Sequence, residues 1–168
     1  FQFNNLKFSQ IHKVKEFKST DFFLFDLGVS NFQLKNMERG FSFESKSKLD
    51  MGMGLNTFNA YDLIEKVSEK NLKNILKFFG EEKFASQISK KIIEYRNNEK
   101  IITGKDLSNI INSIKYNKGK TNPSTKSFQA IRMIVNQELS EIYQALEYII
   151  NNCKHGAVII IVTFHSLE

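Results

Sequence analysis

The sequence predicts an α/β protein in which a long helical stretch interrupts a small parallel sheet. Three observations carry that expectation. Two apolar runs without polar alternation, Phe22–Phe25 and Ala157–Val162, read as strands covered on both faces, as parallel strands in α/β sheets are. Between residues 57 and 153 the apolar residues recur at helical spacing almost throughout. The first run ends on Asp26 and breaks at Gly28, which puts a carboxylate at the carboxyl edge of a strand, where α/β proteins bind ligands.

The elements follow in order. Phe1–Phe3 reads as a short strand, and Phe22–Phe25 as a buried one. Gln33–Phe43 reads as a loop with exposed aromatic and charged groups. Tyr61, Leu63, Ile64 and Val67 give a short amphipathic helix. Ser68 caps the next helix, with Leu72, Ile75, Leu76 and Phe79 on one face and Gly80 as its stop. Glu81 and Glu82 open a third helix favourably for its dipole, followed by Phe84, Ile88, Ile92 and Tyr95. Thr103 with Asp106 forms a capping box before Leu107, Ile110, Ile111 and Ile114. A polar loop, Tyr116–Pro123, holds the only proline, and one long helix runs from about Ser124 to Asn152 before Gly156.

Composition removes several classes. A single cysteine, Cys153, excludes an intramolecular disulfide and a cysteine-based zinc site. The longest apolar run, Ala157–Phe164, is far shorter than the ~20 residues that span a bilayer. Neither a metal nor a membrane is expected. The 24 basic residues against 18 acidic ones give a net charge of +6, but all except Arg39, Arg96 and Arg132 are lysine. With Asn, Ile and Phe also abundant, that balance reflects codon usage as much as an electrostatic footprint for nucleic acid. Two strands and a doubtful third do not complete a doubly wound sheet, so the sequence is expected to be an internal piece of a longer protein.

Six blocks occur in order: DLGVSNFQL from Asp26, ERGFSF from Glu38, LDMGM from Leu49, FGEEKFA from Phe79, NPSTKSFQAIRMIVNQEL from Asn122 and TFHSLE from Thr163. Together they resemble the bacterial 16S rRNA (cytosine-N4)-methyltransferase family, over nearly the whole chain. Phe32 stands where that family usually has Pro, Gly52 where it has Arg, and Lys126 where it has Arg, keeping charge but not the planar fork. The family's Gly-Gly-His-Ser loop and its ribose-binding acidic residue are not in this sequence.

The resemblance implies an incomplete Rossmann-like methyltransferase domain, residues 1–55 and 123–168, with an all-helical insertion, 56–122, that helps to hold RNA. It implies S-adenosyl-L-methionine as cofactor, with Phe8, Asp26 and Gln33 in its site. It implies 16S rRNA of the small ribosomal subunit as partner and the cytoplasm as location; a homodimer is compatible with it. Asp26 is also the candidate catalytic group on physical grounds. Cytosine's exocyclic nitrogen is a poor nucleophile because its lone pair is delocalised into the ring. An acceptor bonded to the amine protons localises that pair and stabilises the charge developing during transfer.

The remaining candidates concern the substrate. Reaching a cytosine amine requires an unstacked base, on which exposed Phe41 and Phe43 are expected to stack. Arg39 has two readings, pairing with Glu38 or a helix end, and contacting an RNA phosphate. Arg132 and Asn136, one helical turn apart, share a face that either looks into the active cleft or is simply solvated. His165, with Ser166 beside it, reads as a structural or substrate-positioning group rather than a general base. A competing reading is a catalytically incomplete remnant or a non-enzymatic RNA-binding module, which would not bind the cofactor. An unrelated nucleotide-binding α/β protein would need a phosphate-cradling glycine loop, and none of the eight glycines is so arranged.

Overall fold

A computed structural model describes residues 2–54, 58–115 and 122–163. The chain divides into two compact units, Phe1–Val29 with Gln137–Glu168, and Ser30–Asn136. The first is mixed α/β and the second is helical.

In the first unit, 3-10 turns at Phe8–Lys13 and Phe17–Ser19 lead into strand β1, Phe22–Asp26. The unit resumes with helix α7, Glu138–Asn152, and ends in strand β2, Val158–Val162. The strands pair in parallel, Phe22 opposite Val158 through Asp26 opposite Val162. The two apolar runs are thus parallel neighbours in one small sheet. One face of the pair is covered: Phe23, Phe25 and Leu27 pack with Phe17 and with Ile142, Ala145 and Ile149 of α7.

The other face corrects the expectation of strands covered on both sides. Phe22 is 54% exposed and Leu24 63%, and Val158, Ile160 and Val162 are exposed beside them. Among the described residues nothing packs on this face, although its composition is that of a buried one. The short strand expected at Phe1–Phe3 is also corrected where it can be seen. Gln2 and Phe3 are irregular, Phe3 is solvent-exposed, and Phe1 lies outside the described residues.

The helical unit contains α1 (Asn31–Lys35), a 3-10 turn at Met37–Arg39, and helices α2 (Ala60–Lys66), α3 (Glu69–Gly80), α4 (Ala85–Arg96), α5 (Gly104–Asn112) and α6 (Thr125–Val135). The end signals hold at two starts. Ser68 Oγ accepts from Asn71 N at 3.3 Å, and Thr103 forms a full capping box with Asp106. Leu72 and Leu76 of α3, Ile88 and Ile92 of α4, Leu107 and Ile111 of α5 and Ile131 of α6 are fully buried. This compact unit takes in Ser30–Asn136, including the loop whose Leu49 and Met51 are buried.

Three local readings change. The long helix expected over 124–152 is two, α6 and α7, broken where Gln137 turns left-handed (φ 53°). Glu81, not Gly80, takes the left-handed position ending α3 (φ 47°). Gly80 is needed for proximity instead, since a Cβ there would lie 2.5 Å from the Lys126 carbonyl of α6. Glu82 does not charge the first turn of α4, which has no acid; it is 4% exposed and paired with Lys115 at 2.8 Å.

Candidate functional site

The sheet unit places Asp26 at the carboxyl end of β1, level with Val162 at the end of β2. The ladder continues one step past it, Leu27 N donating to Val162 O at 3.1 Å. Buried Leu27 anchors the next step, and Gly28 turns the chain with φ 92°. Strand alternation puts Asp26 on the exposed face with Phe22 and Leu24, opposite Phe23 and Phe25. The carboxylate is therefore solvent-accessible at the strand tip. An exposed carboxylate there is an acceptor ready for a ligand's N–H or O–H groups.

Phe8 begins the first 3-10 turn and sets its ring edge-on against Phe25, with centroids 5.3 Å apart and planes at 86°. It remains 41% exposed. The turn is tied to α7, where Glu141 Oε2 accepts from Ser9 N at 3.0 Å and Glu141 Oε1 lies 3.8 Å from Lys7 Nζ. Phe8 and Asp26 thus occupy opposite sides of β1 near its end.

Gln33 lies in the helical unit, in the first turn of α1. Its Oε1 accepts from Ser30 N at 2.9 Å while Ser30 Oγ accepts from Gln33 N at 3.2 Å. This reciprocal cap uses the carbonyl end of the side chain for chain geometry.

Three of the sequence blocks meet in the helical unit around residues 49–54. Arg39 Nη2 donates to Gly52 O at 2.5 Å, its carbonyl accepts from Met51 N at 2.9 Å, and its guanidinium lies 5.6 Å from the Phe41 ring centroid. At the C-cap of α6, Asn136 Oδ1 accepts from Met53 N at 2.8 Å, and Nδ2 donates to Met51 O at 2.8 Å and to Arg132 O at 2.9 Å. Asp50 Oδ1 accepts from Gly52 N at 3.1 Å, and its carbonyl accepts from Ala60 N. Gly40 completes the fit: with φ 70°, its missing Cβ would lie 2.7 Å from Asp50 N. Residues far apart in sequence thereby clamp one loop.

That clamp revises several substrate assignments. Phe41 is 4% exposed and presents no stacking surface, and Phe43 is half-buried, edge-on to Phe128 at 4.8 Å. Asn136 is buried and spends its amide on backbone groups rather than facing a cleft. Arg39 does not pair with Glu38; its Nη2 holds the Gly52 carbonyl. Arg132 is half-buried on α6. His165 and Ser166 lie outside the described residues.

Sequence reasoning missed two polar clusters that join elements, one at buried Glu82 and one at half-buried Arg96. Glu82 accepts from Lys115 Nζ, from Ser127 Oγ at 3.3 Å and from Phe84 N at 3.2 Å, while Lys115 also donates to Pro123 O. Arg96 Nη1 reaches Ile64 O at 2.6 Å and Val67 O at 2.7 Å, closing the end of α2. The Glu82 cluster joins the FGEEKFA block to the start of the NPSTKSF block, and no local periodicity announces it. Among the described residues no group of three or more His, Cys, Asp or Glu is arranged to hold a metal, and no helix is long and apolar enough to cross a membrane.

Against known proteins, the family profile described as the MraW methylase family matches residues 1–168. A ribosomal RNA small subunit methyltransferase H of Sulfurihydrogenibium sp. (strain YO3AOP1) is 46% identical over 157 residues, which cover 91% of this chain and 53% of the relative. The protein of that name from Caldicellulosiruptor saccharolyticus is 45% identical, covering 98% of this chain and 57% of the relative. That from Rickettsia canadensis is 44% identical, covering 93% and 51%. The chain spans about half the length of the curated relatives it matches.

Proposed function

This chain belongs to the MraW methylase family, and from that membership we propose that it is part of an enzyme methylating the exocyclic N4 amine of a cytidine in 16S rRNA of the small ribosomal subunit. The methyl donor in this reading is S-adenosyl-L-methionine. In this reading residues 1–55 and 123–168 are part of a Rossmann-like methyltransferase domain and residues 56–122 its helical insertion. The observation that carries the reading is Asp26. Its carboxylate is exposed at the carboxyl end of a parallel strand, inside the first of six ordered family blocks.

The groups present suit parts of such a cofactor. Phe8 offers a partly exposed ring for a heteroaromatic base, and Asp26 an exposed acceptor for hydroxyl or ammonium groups. The motif match carries Phe8, Asp26 and Gln33 over to the cofactor, and Asp26 to the reacting base as well. When bound, the cofactor supplies an electrophilic methyl group on a sulfonium. The chain's own contribution is electrostatic. Asp26 accepts a hydrogen bond from the cytosine amine, localises the nitrogen lone pair and stabilises the positive charge that grows as the N–C bond forms. It keeps that hydrogen bond until the surplus proton leaves to solvent. Arg39 and Asn136 act at one remove, by fixing the loop over residues 51–53.

The test is transfer of a labelled methyl group from S-adenosyl-L-methionine to small ribosomal subunits by the complete protein, followed by nucleoside analysis of the rRNA. The expected product is N4-methylated cytidine in 16S rRNA. Label on another base or position overturns the specificity. No label, together with no cofactor binding by calorimetry, favours the non-enzymatic RNA-binding reading.

A further inference from the structure

We propose that the exposed face of α3 formed by Lys70, Lys73, Lys77 and Phe78 is the surface on which an unpaired stretch of substrate RNA lies, lysines on phosphates and Phe78 on a base. The inference rests on the RNA-modifying reading above and adds to it the part of the helical unit that meets the RNA.

Helix geometry makes the alignment. At about 100° per residue, Lys70, Lys73 and Lys77 fall within an arc of roughly 60° and extend over about 10 Å of axis. Leu72 and Leu76, both fully buried, lie roughly 110° round the helix from the middle of the lysine arc, and the lysine face is the outward one because its side chains are exposed. The three lysines, with Asn71 and Asn74 beside them, are exposed. Phe78 borders the stripe and is 59% exposed, with Lys77 Nζ 5.4 Å from its ring centroid.

Lysine is common throughout this sequence, so abundance alone carries nothing. What distinguishes α3 is the alignment of such lysines on one helix face, since single lysines without a carboxylate within 4 Å, such as Lys13, Lys18 and Lys91, occur elsewhere among the described residues too. Elsewhere Lys7, Lys90, Lys105, Lys115 and Lys154 each lie within 4 Å of a carboxylate. Among the described residues no carboxylate lies that close to Lys70, Lys73 or Lys77. No other described helix aligns three lysines on one face, and α7 carries three acids and no lysine.

The chemistry of the surface selects its partner. A row of uncompensated ammonium groups attracts a polyanion with charges repeated at a similar spacing, as along a nucleic-acid strand. A large exposed aromatic beside the row is what unpaired bases stack on and what a duplex, with its bases covered, has no use for. An acidic protein would satisfy the charge but not the ring.

The experiment compares the full chain with the triple variant K70Q/K73Q/K77Q and with a control, K90Q/K91Q/K100Q, that removes equal charge elsewhere. Thermal melts check that all three fold alike. Binding to an unpaired 16S rRNA fragment, measured across salt concentrations, should give a log–log salt slope shallower by about 2 in the α3 variant, at about 0.7 for each phosphate that no longer meets a lysine. At ~0.1 M salt, affinity should fall on the order of tenfold or more, while the control changes by less than about twofold. F78A should weaken binding to the unpaired fragment about fivefold or more and leave a duplex of the same sequence unaffected. Equal losses in the two triple variants would mean bulk charge alone, and an unchanged slope in the α3 variant would mean that the RNA does not touch this face; either overturns the proposal. Methyl transfer is scored separately, so failure of the catalytic reading leaves this binding result legible.

Discussion

The helical unit and the sheet unit bury their apolar residues to different extents. In the helical unit Leu72, Leu76, Ile88, Ile92, Leu107, Ile111 and Ile131 are inaccessible to solvent, and Arg39, Arg96, Glu82 and Asn136 occupy the polar gaps between elements. In the sheet unit the α7 side of the strands is packed while Phe22, Leu24, Val158, Ile160 and Val162 stand in solvent. The candidate catalytic carboxylate, Asp26, lies on the open face of the sheet unit. The difference separates two jobs: the helical unit spends its motif residues on holding shape, and the sheet unit presents Asp26.

Neighbouring residues of β1 sharpen this contrast most. Phe23→Ala removes a ring packed against the α7 side and should cost about 3–5 kcal/mol. Leu24→Ala, one residue on but facing outward, should change stability by no more than about 0.5 kcal/mol. Urea titrations of the two variants measure the gap. Similar losses would mean that the open face is packed after all.

In the helical unit, Glu82→Ala leaves the Lys115 ammonium without its carboxylate in a mostly buried place, and a loss of about 3–5 kcal/mol is expected. Replacing both partners with apolar residues should restore part of it, which a double-mutant cycle reads directly. Asn136→Ala strands Met53 N and Met51 O, at an expected cost of about 2–3 kcal/mol. Amide exchange at Met53 should accelerate in that variant while α4 keeps its protection. Smaller still, Thr103→Ala loses the cap of α5 and should cost about 1 kcal/mol by thermal melt.

Much of this was legible in the sequence because local rules governed it. The existence of the two strands, the caps at Ser68 and Thr103 and the strand-tip position of Asp26 each follow from adjacent residues. What was not legible depends on partners distant in the chain. Asn136 looks like a mid-helix residue until the loop at Met51–Met53 takes its amide and Gln137 turns left-handed. Phe41 looks exposed within a polar block, yet it is buried beneath the Arg39 guanidinium. Gly80 reads as a helix stop because sequence shows the end of α3 but not the Lys126 carbonyl pressed against it. In the candidate site, sequence marked the positions Phe8, Asp26 and Gln33; it did not show that Gln33 is half-committed to a cap or that Phe8 and Asp26 take opposite sides of β1.

The central claim is that the Asp26 carboxylate serves the reacting amine rather than the fold. Single-turnover methyl transfer to small-subunit rRNA by the complete protein, with Asp26 and with Asp26→Asn at saturating cofactor, tests it most directly. Loss of one acceptor aimed at developing charge should slow transfer about 10²–10³-fold, with the melting temperature unchanged because the side chain is exposed. Equal transfer rates, or a slower rate explained by unfolding, would contradict the account.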